Sequence, residues 1–183
     1  MHTDGSVHMT TPQPFLDALV STGRAPELAE IDDIFGFLIG SWDLEAVLHD
    51  GDGQTQTRRG ELHVARVLEG RAIQDLFIFP RRADRASGVP AQGDRYATTI
   101  RTFDRTRRAW RVEFINPADD ATSARLLARR NGHGIGMEGS LSDGTPIRWR
   151  YEAITPVSFH YSAERRDDDG DRWRLYLELF GTR

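Results

Sequence analysis

The chain of 183 residues (20.7 kDa) carries 24 Arg, no Lys and 28 acidic residues, for a net charge of −4 and a pI near 5.9. That balance gives no electrostatic case for nucleic acid or an anionic membrane as partner. With neither Cys nor Lys present, disulfide frameworks, thiolate metal sites, thiol nucleophiles, Schiff-base chemistry and Walker-type phosphate binding are all excluded. Apolar residues make up 38%, enough for the core of one ordinary domain.

Residues 1–11 hold no cationic stretch and no apolar h-region, so they read as a disordered tail rather than a secretory signal. Nowhere does a run of about 18 apolar residues occur, and a cytoplasmic location is expected. Residues 12–39 read as helical and are expected to pack on the strands C-terminal to them. Phe15, Leu16, Leu19 and Val20 form one apolar stripe, Gly23 and Pro26 interrupt it, and Leu28, Ile31, Ile34, Phe35 and Leu38 form a second at helical spacing.

From Gly40 onward the period changes from 3.6 to 2. Trp42, Leu44, Ala46 and Leu48 alternate with Asp43, Glu45, Val47 and His49, the pattern of a half-buried strand. Asp50-Gly51-Asp52-Gly53 is a hairpin turn. Further strands are predicted over 57–67, 71–79, 96–103, 110–116, 122–130, 135–141, 147–153, 158–164 and 173–180, with 80–93 as a long loop. Links this short require antiparallel neighbours. Ten such strands remove their exposed edges by closing. The predicted architecture is therefore mainly β: an antiparallel up-and-down barrel of about ten strands over 40–183, preceded by a helical segment.

Phe37-Leu38-Ile39-Gly40-Ser41-Trp42 carries the Gly-x-Trp that opens the first strand of lipocalin-like barrels. Leu68-Glu69-Gly70-Arg71-Ala72, Phe103-Asp104-Arg105 with Arg108-Ala109-Trp110, Ile154-Thr155-Pro156-Val157-Ser158-Phe159, and 168–183 come next in chain order. Together these stretches resemble a bacterial lipocalin-like domain of unknown function, a calycin-type β-barrel. The resemblance covers about 35–183. It implies a barrel with an interior pocket whose narrow end is plugged by Trp42, and it implies no particular activity.

Several patterns bear on chemistry. Gly134-Ile135-Gly136-Met137-Glu138-Gly139 matches a dinucleotide fingerprint, but a turn succeeds it where the fingerprint requires a helix, so barrel-strand glycines are the better reading. The acidic run 167–171 lacks the EF-hand ligand spacing and reads as a hairpin tip. Among five Arg doublets, one member of a pair within a strand could face inward and recognise an anion. Asp75 lies in a strand apolar on both faces, where burial would raise its pKa and make it a candidate acid or base, unless it pairs with a cross-strand cation such as Arg101. His160, mid-strand between Phe159 and Tyr161, is the second catalytic candidate.

Trp42, Tyr96, Trp110, Phe114, Trp149 and Tyr151 are assigned to the apolar phase of their strands and, with Phe77, to a ring-lined cavity. Gln74, Asp75, Asn116 and His160 are its candidate polar anchors, and Arg101 is counted with the ligand-binding residues. The expected function is binding of a small, largely apolar or aromatic molecule, without metal or cofactor. The alternative is a cyclase or isomerase of secondary metabolism in the same cavity. A third reading is a haem-binding barrel of the nitrobindin type with a late His as iron ligand. A small molecule is the expected partner, with a homodimer left open.

Overall fold

Alternation of apolar and polar residues, which puts successive side chains on opposite faces, builds almost the whole chain. The computed structural model describes residues 13–85, 94–118, 122–167, 170 and 172–183. Helix α1 (Gln13–Leu19) leads into a two-residue strand β1 (Val20–Ser21). The barrel strands are β2 (Gly40–His49), β3 (Thr55–Val67), β4 (Ala72–Phe79), β5 (Arg95–Asp104), β6 (Ala109–Asn116), β7 (Thr122–Asn131), β8 (Gly134–Leu141), β9 (Pro146–Glu152), β10 (Ser158–Arg166) and β11 (Trp173–Thr182).

Each barrel strand pairs antiparallel with its chain neighbours, β11 returns to pair with β2, and β1 adds to the far end of β3. The pairing of β11 with β2 closes the sheet into a ten-stranded antiparallel barrel. Every predicted strand is present, within two residues at each end.

The N-terminal segment departs from expectation. Only α1 is an α-helix, and none of its residues is buried, with Phe15 and Leu16 exposed. The second helix is absent. In its place 3-10 turns lie at Glu30–Asp32 and Gly36–Leu38. The helical spacing of 28, 31, 34, 35 and 38 arises differently. Leu28, Ile34, Phe35 and Leu38 drop into the core while Ile31 points to water, which breaks the stripe a helix would bury.

On the outer face of β4 Leu76 is exposed while Ala72 and Ile78 are buried, and the core contacts of the segment lie inside the barrel. The segment stops one end of the barrel. The Phe35 ring meets Trp110 edge-on at 5.5 Å, and Trp110 Nε1 donates to the Asp32 carbonyl at 2.7 Å. Trp42 donates to the Leu38 carbonyl at 2.7 Å, packs on Phe159 at 4.9 Å and carries the Arg183 guanidinium over its ring at 4.1 Å.

The glycine-rich run lies in β8. A Cβ on Gly139 would meet the Arg125 carbonyl oxygen at 1.9 Å, and one on Gly134 the Tyr151 carbonyl oxygen at 2.3 Å. Close approach of neighbouring strands accounts for these glycines. The tail before residue 13 and residues 86–93 of the long loop lie outside the described residues, as do Asp168, Asp169 and Asp171 of the acidic hairpin tip. Among the described residues no helix is long and apolar enough to cross a membrane, and no group of three or more His, Asp or Glu is placed to hold a metal ion.

Trp42→Ala removes a buried indole and leaves a void beside Phe159, so a loss of about 3–5 kcal/mol in urea denaturation is expected. A loss below about 1 kcal/mol would show that the stopper does not depend on it.

Candidate functional site

Ten strands enclose more space than an eight-stranded barrel, which is already just filled by side chains or able to hold one small ligand. Beyond the stopper lies a cavity of about 330 Å³, near the small end of the range for ligand pockets. Its walls are rings. Phe114 meets Trp149 edge-on at 5.7 Å, Trp149 meets Tyr161 at 6.1 Å, and Tyr161 meets Tyr151 at 5.0 Å. Phe77 and Phe159 complete the lining from β4 and β10. Trp149 Nε1 donates to the Tyr176 hydroxyl at 2.8 Å, which fixes the indole plane.

The polar heart of the cavity is a buried ion pair. Asp75 and Arg101 are diagonal neighbours on the inner faces of β4 and β5, where Asp75 lies opposite Thr99 and Arg101 opposite Ile73. Arg101 Nη2 donates to Asp75 Oδ2 at 2.6 Å, and the Thr99 amide donates to Oδ1 at 3.0 Å. Both residues are at most 3% exposed. With both carboxylate oxygens engaged, Asp75 is a fixed counter-charge that orients Arg101, and it is poorly placed to shuttle a proton. The Arg101 guanidinium also lies 5.1 Å from the Phe35 ring, so the stopper packs directly on the buried cation. Arg101 Nε and Nη1, and Asn116 Oδ1, are enclosed without a hydrogen-bond partner.

Burial pushes the Tyr151 hydroxyl up to about 12, with Arg101 drawing it back and Asp75 adding to the rise. Burial likewise lifts the Tyr161 hydroxyl well above its ordinary value, reinforced by the neighbouring phenols and opposed by Arg95 and Arg101. These phenols stay protonated at neutral pH and serve as hydrogen-bonding groups rather than bases.

The structure sorts the sequence candidates into three sets. Asp75, Phe77, Arg101, Phe114, Asn116, Trp149 and Tyr151 line the cavity. Trp42 and Trp110 point inward but belong to the stopper, away from the cavity lining. Gln74, Tyr96 and His160 lie on the outer wall. Gln74 donates to Thr98 Oγ1 at 3.1 Å, and Tyr96 is 40% exposed beneath the Arg85 guanidinium. His160 stacks on Phe180 at 4.7 Å and shares Glu178 with His49, at 3.0 Å and 2.8 Å.

All three outer-wall corrections are matters of strand phase, since Gln74 lies between the inward Ile73 and Asp75 of β4. Phe159 and Tyr161 are the inward residues of β10, so His160 between them faces out. On β5, Tyr96 and Arg101 are five residues apart and cannot share a face. Arg95 is the inward residue at that mouth. Assigning the ring inward and the cation outward fails where the barrel opens to water. Arg95, Thr99, Tyr161 and Arg165 are cavity residues that hydropathy does not reveal. Parity counted from Arg101 would have found Arg95. No histidine among the described residues lines the cavity, so a haem held by a late imidazole does not fit this site.

A second polar cluster sits on the outer wall. Ser41 Oγ lies 3.0 Å from His63 Nδ1, His63 Nε2 lies 3.0 Å from Glu61, and Arg82 Nε donates to Glu61 at 2.6 Å. The Arg82 hydrogen bonds, helped by His63, hold the Glu61 carboxyl down at about 2 against the usual 4.5.

Removing one member of the buried pair leaves the other charge uncompensated. Asp75→Ala is therefore expected to cost about 3–5 kcal/mol in urea denaturation, whereas Asp75→Leu combined with Arg101→Met recovers most of that loss. A double variant no more stable than the single one would contradict this account. The outer cluster sets a pH dependence. Because the folded pKa of Glu61 is depressed, its contribution is complete above about pH 4.5 and is lost as pH falls through about 2. Glu61→Gln should flatten the fall in unfolding midpoint over that window, and an unchanged slope counts against the pairing.

No family model and no curated protein sequence matches the chain. Among solved structures, the crystal structure of Rv2717c from M. tuberculosis is similar, with a TM-score of 0.59 at 16% identity, covering 86% of this chain and 99% of that one. At that identity the likeness concerns the fold, and with the closed ten-stranded antiparallel barrel it supports a calycin-like barrel.

Proposed function

We propose that the barrel binds a small, largely apolar or aromatic molecule in its interior. The observation that carries this reading is the cavity of about 330 Å³, walled by the rings of Phe77, Phe114, Trp149, Tyr151 and Tyr161 above a buried Arg101–Asp75 pair. An apolar void stopped at one end desolvates a ligand's surface, while a few fixed polar groups orient it. A cyclase or isomerase on the same scaffold needs a group that moves a proton. Of the two acid–base candidates, His160 is outside and Asp75 is held by Arg101 and the Thr99 amide. The binding reading is therefore preferred, with the enzyme as the second reading.

Native mass spectrometry of freshly purified protein tests for a co-purified ligand, and titration with the neutral dye N-phenyl-1-naphthylamine tests the cavity directly. Saturable one-to-one binding in the micromolar range is expected. Trp149→Ala should weaken it several-fold, while Trp110→Ala, in the stopper, should lower stability and leave the affinity of the folded protein nearly unchanged. Absence of saturable binding up to about 100 μM, with no co-purified ligand, overturns the proposal. A bound compound released in chemically altered form would favour the enzyme.

A further inference from the structure

Among the described residues three arginines and two aspartates line the cavity, one positive charge in excess, in a chain whose net charge is −4. The excess is located. Arg101, at the stopped end, is neutralised by Asp75 at 2.6 Å. Arg165, a member of one of the Arg doublets, lies over the Tyr176 ring at 5.9 Å and acts on Asp143 across the mouth. Arg95 is different. It is half-buried, faces inward from the first position of β5, and rests its guanidinium 5.2 Å from the Phe79 ring. Among the described residues its side chain makes no hydrogen bond and no ion pair, and its charge acts on the Tyr161 and Tyr176 hydroxyls, opposing their rise. Arg95 and Arg101 are six residues apart on one face of one strand, on the order of 20 Å along it. Among the described residues one end of the cavity thus has a compensated cation and the other an uncompensated one, with rings between.

We infer that the ligand of this cavity is an organic anion, an aromatic or apolar body carrying one carboxylate or comparable acidic group, bound body-first with its charge at Arg95. This inference rests on the binding reading above and deepens it. An anionic group pushed to the stopped end would meet an Arg101 already neutralised by Asp75 at 2.6 Å and would lie beside that buried carboxylate. At the mouth it meets a guanidinium that has no partner among the described residues and is partly desolvated by the Phe79 ring, where a charge-assisted bond is strong. Arg165 adds attraction on the same side.

Two probes that share a ring system separate the contributions. The neutral dye N-phenyl-1-naphthylamine is compared with its sulfonated relative 1-anilinonaphthalene-8-sulfonate at low ionic strength, and direct competition between them confines the readout to one site. The expected result for the natural chain is one-to-one binding of both, mutual displacement, and about tenfold tighter binding of the anion, a preference that shrinks as salt is added. Arg95→Gln should abolish that preference while leaving the neutral dye within about twofold, which also reports that the barrel is intact. Arg95→Lys should retain part of it, and Arg107→Gln, on an outer turn, should change neither affinity. Equal or weaker binding of the anion by the natural chain overturns the inference and leaves the cavity reading standing. A preference that survives in Arg95→Gln also overturns it. If neither dye binds with defined stoichiometry, both readings fall.

Discussion

A sheet of ten strands that closes on itself encloses more volume than its own inward side chains fill, and most of this structure answers that constraint. At one end the segment before β2 is drawn inside, where Phe35 and Leu38 are fully buried against Trp110 and Trp42. At the other end no segment of the described chain enters, and a void remains between the stopper and the mouth. The Gly-x-Trp start of β2 is the hinge of this arrangement. Trp42 hydrogen-bonds back to the Leu38 carbonyl, so the chain that stops the barrel is tied to the strand that begins it.

The buried Arg101–Asp75 pair has to be understood within that frame. Taking two charges out of water is expensive, and a well-packed apolar substitute is often at least as stable. Here the geometry compensates in several ways at once. The pair is short, the second carboxylate oxygen takes a backbone amide, and the guanidinium faces the Phe35 ring of the stopper. Two of its nitrogens nevertheless remain without acceptors, and the Asn116 amide oxygen remains without a donor. Unmet polar groups in an interior of rings are unusual in a core that serves stability alone. They are the groups on which the proposal of a ligand-binding chamber draws.

The outer wall shows how the same residue types act when water is present. His160 and His49 flank Glu178 across β10, β11 and β2, and Ser41, His63, Glu61 and Arg82 form a network across β2, β3 and the turn after β4. Their polar atoms meet one another along the strands, while the cavity on the other side of the wall has no histidine among its described lining residues. Histidine position along the chain therefore says little about chemistry in a barrel, because adjacent residues stand on opposite sides of a wall one strand thick.

The sequence by itself determined the strands, their antiparallel order and the closed barrel, because an alternation of period two separated by short turns leaves few other topologies. It also assigned Phe77, Arg101, Phe114, Asn116, Trp149 and Tyr151 to the interior, where the structure has them, but in a strand apolar on both faces it left open whether Gln74 or Asp75 turns inward. Tertiary structure decided the rest. Hydropathy assigns rings inward and charges outward, and that rule reverses at a barrel mouth, so Arg95 is inside and Tyr96 outside. A helical spacing in 28–38 was equally satisfied by an irregular stopper, because a segment enclosed at a barrel's end is shaped by the hole it fills rather than by its own hydrogen bonds. Whether Trp42 and Trp110 line a cavity or close it was not written in their strands. It depends on how deep the N-terminal segment reaches, and that depth is fixed only when Phe35 meets Trp110, Tyr151 and Arg101 in the assembled barrel.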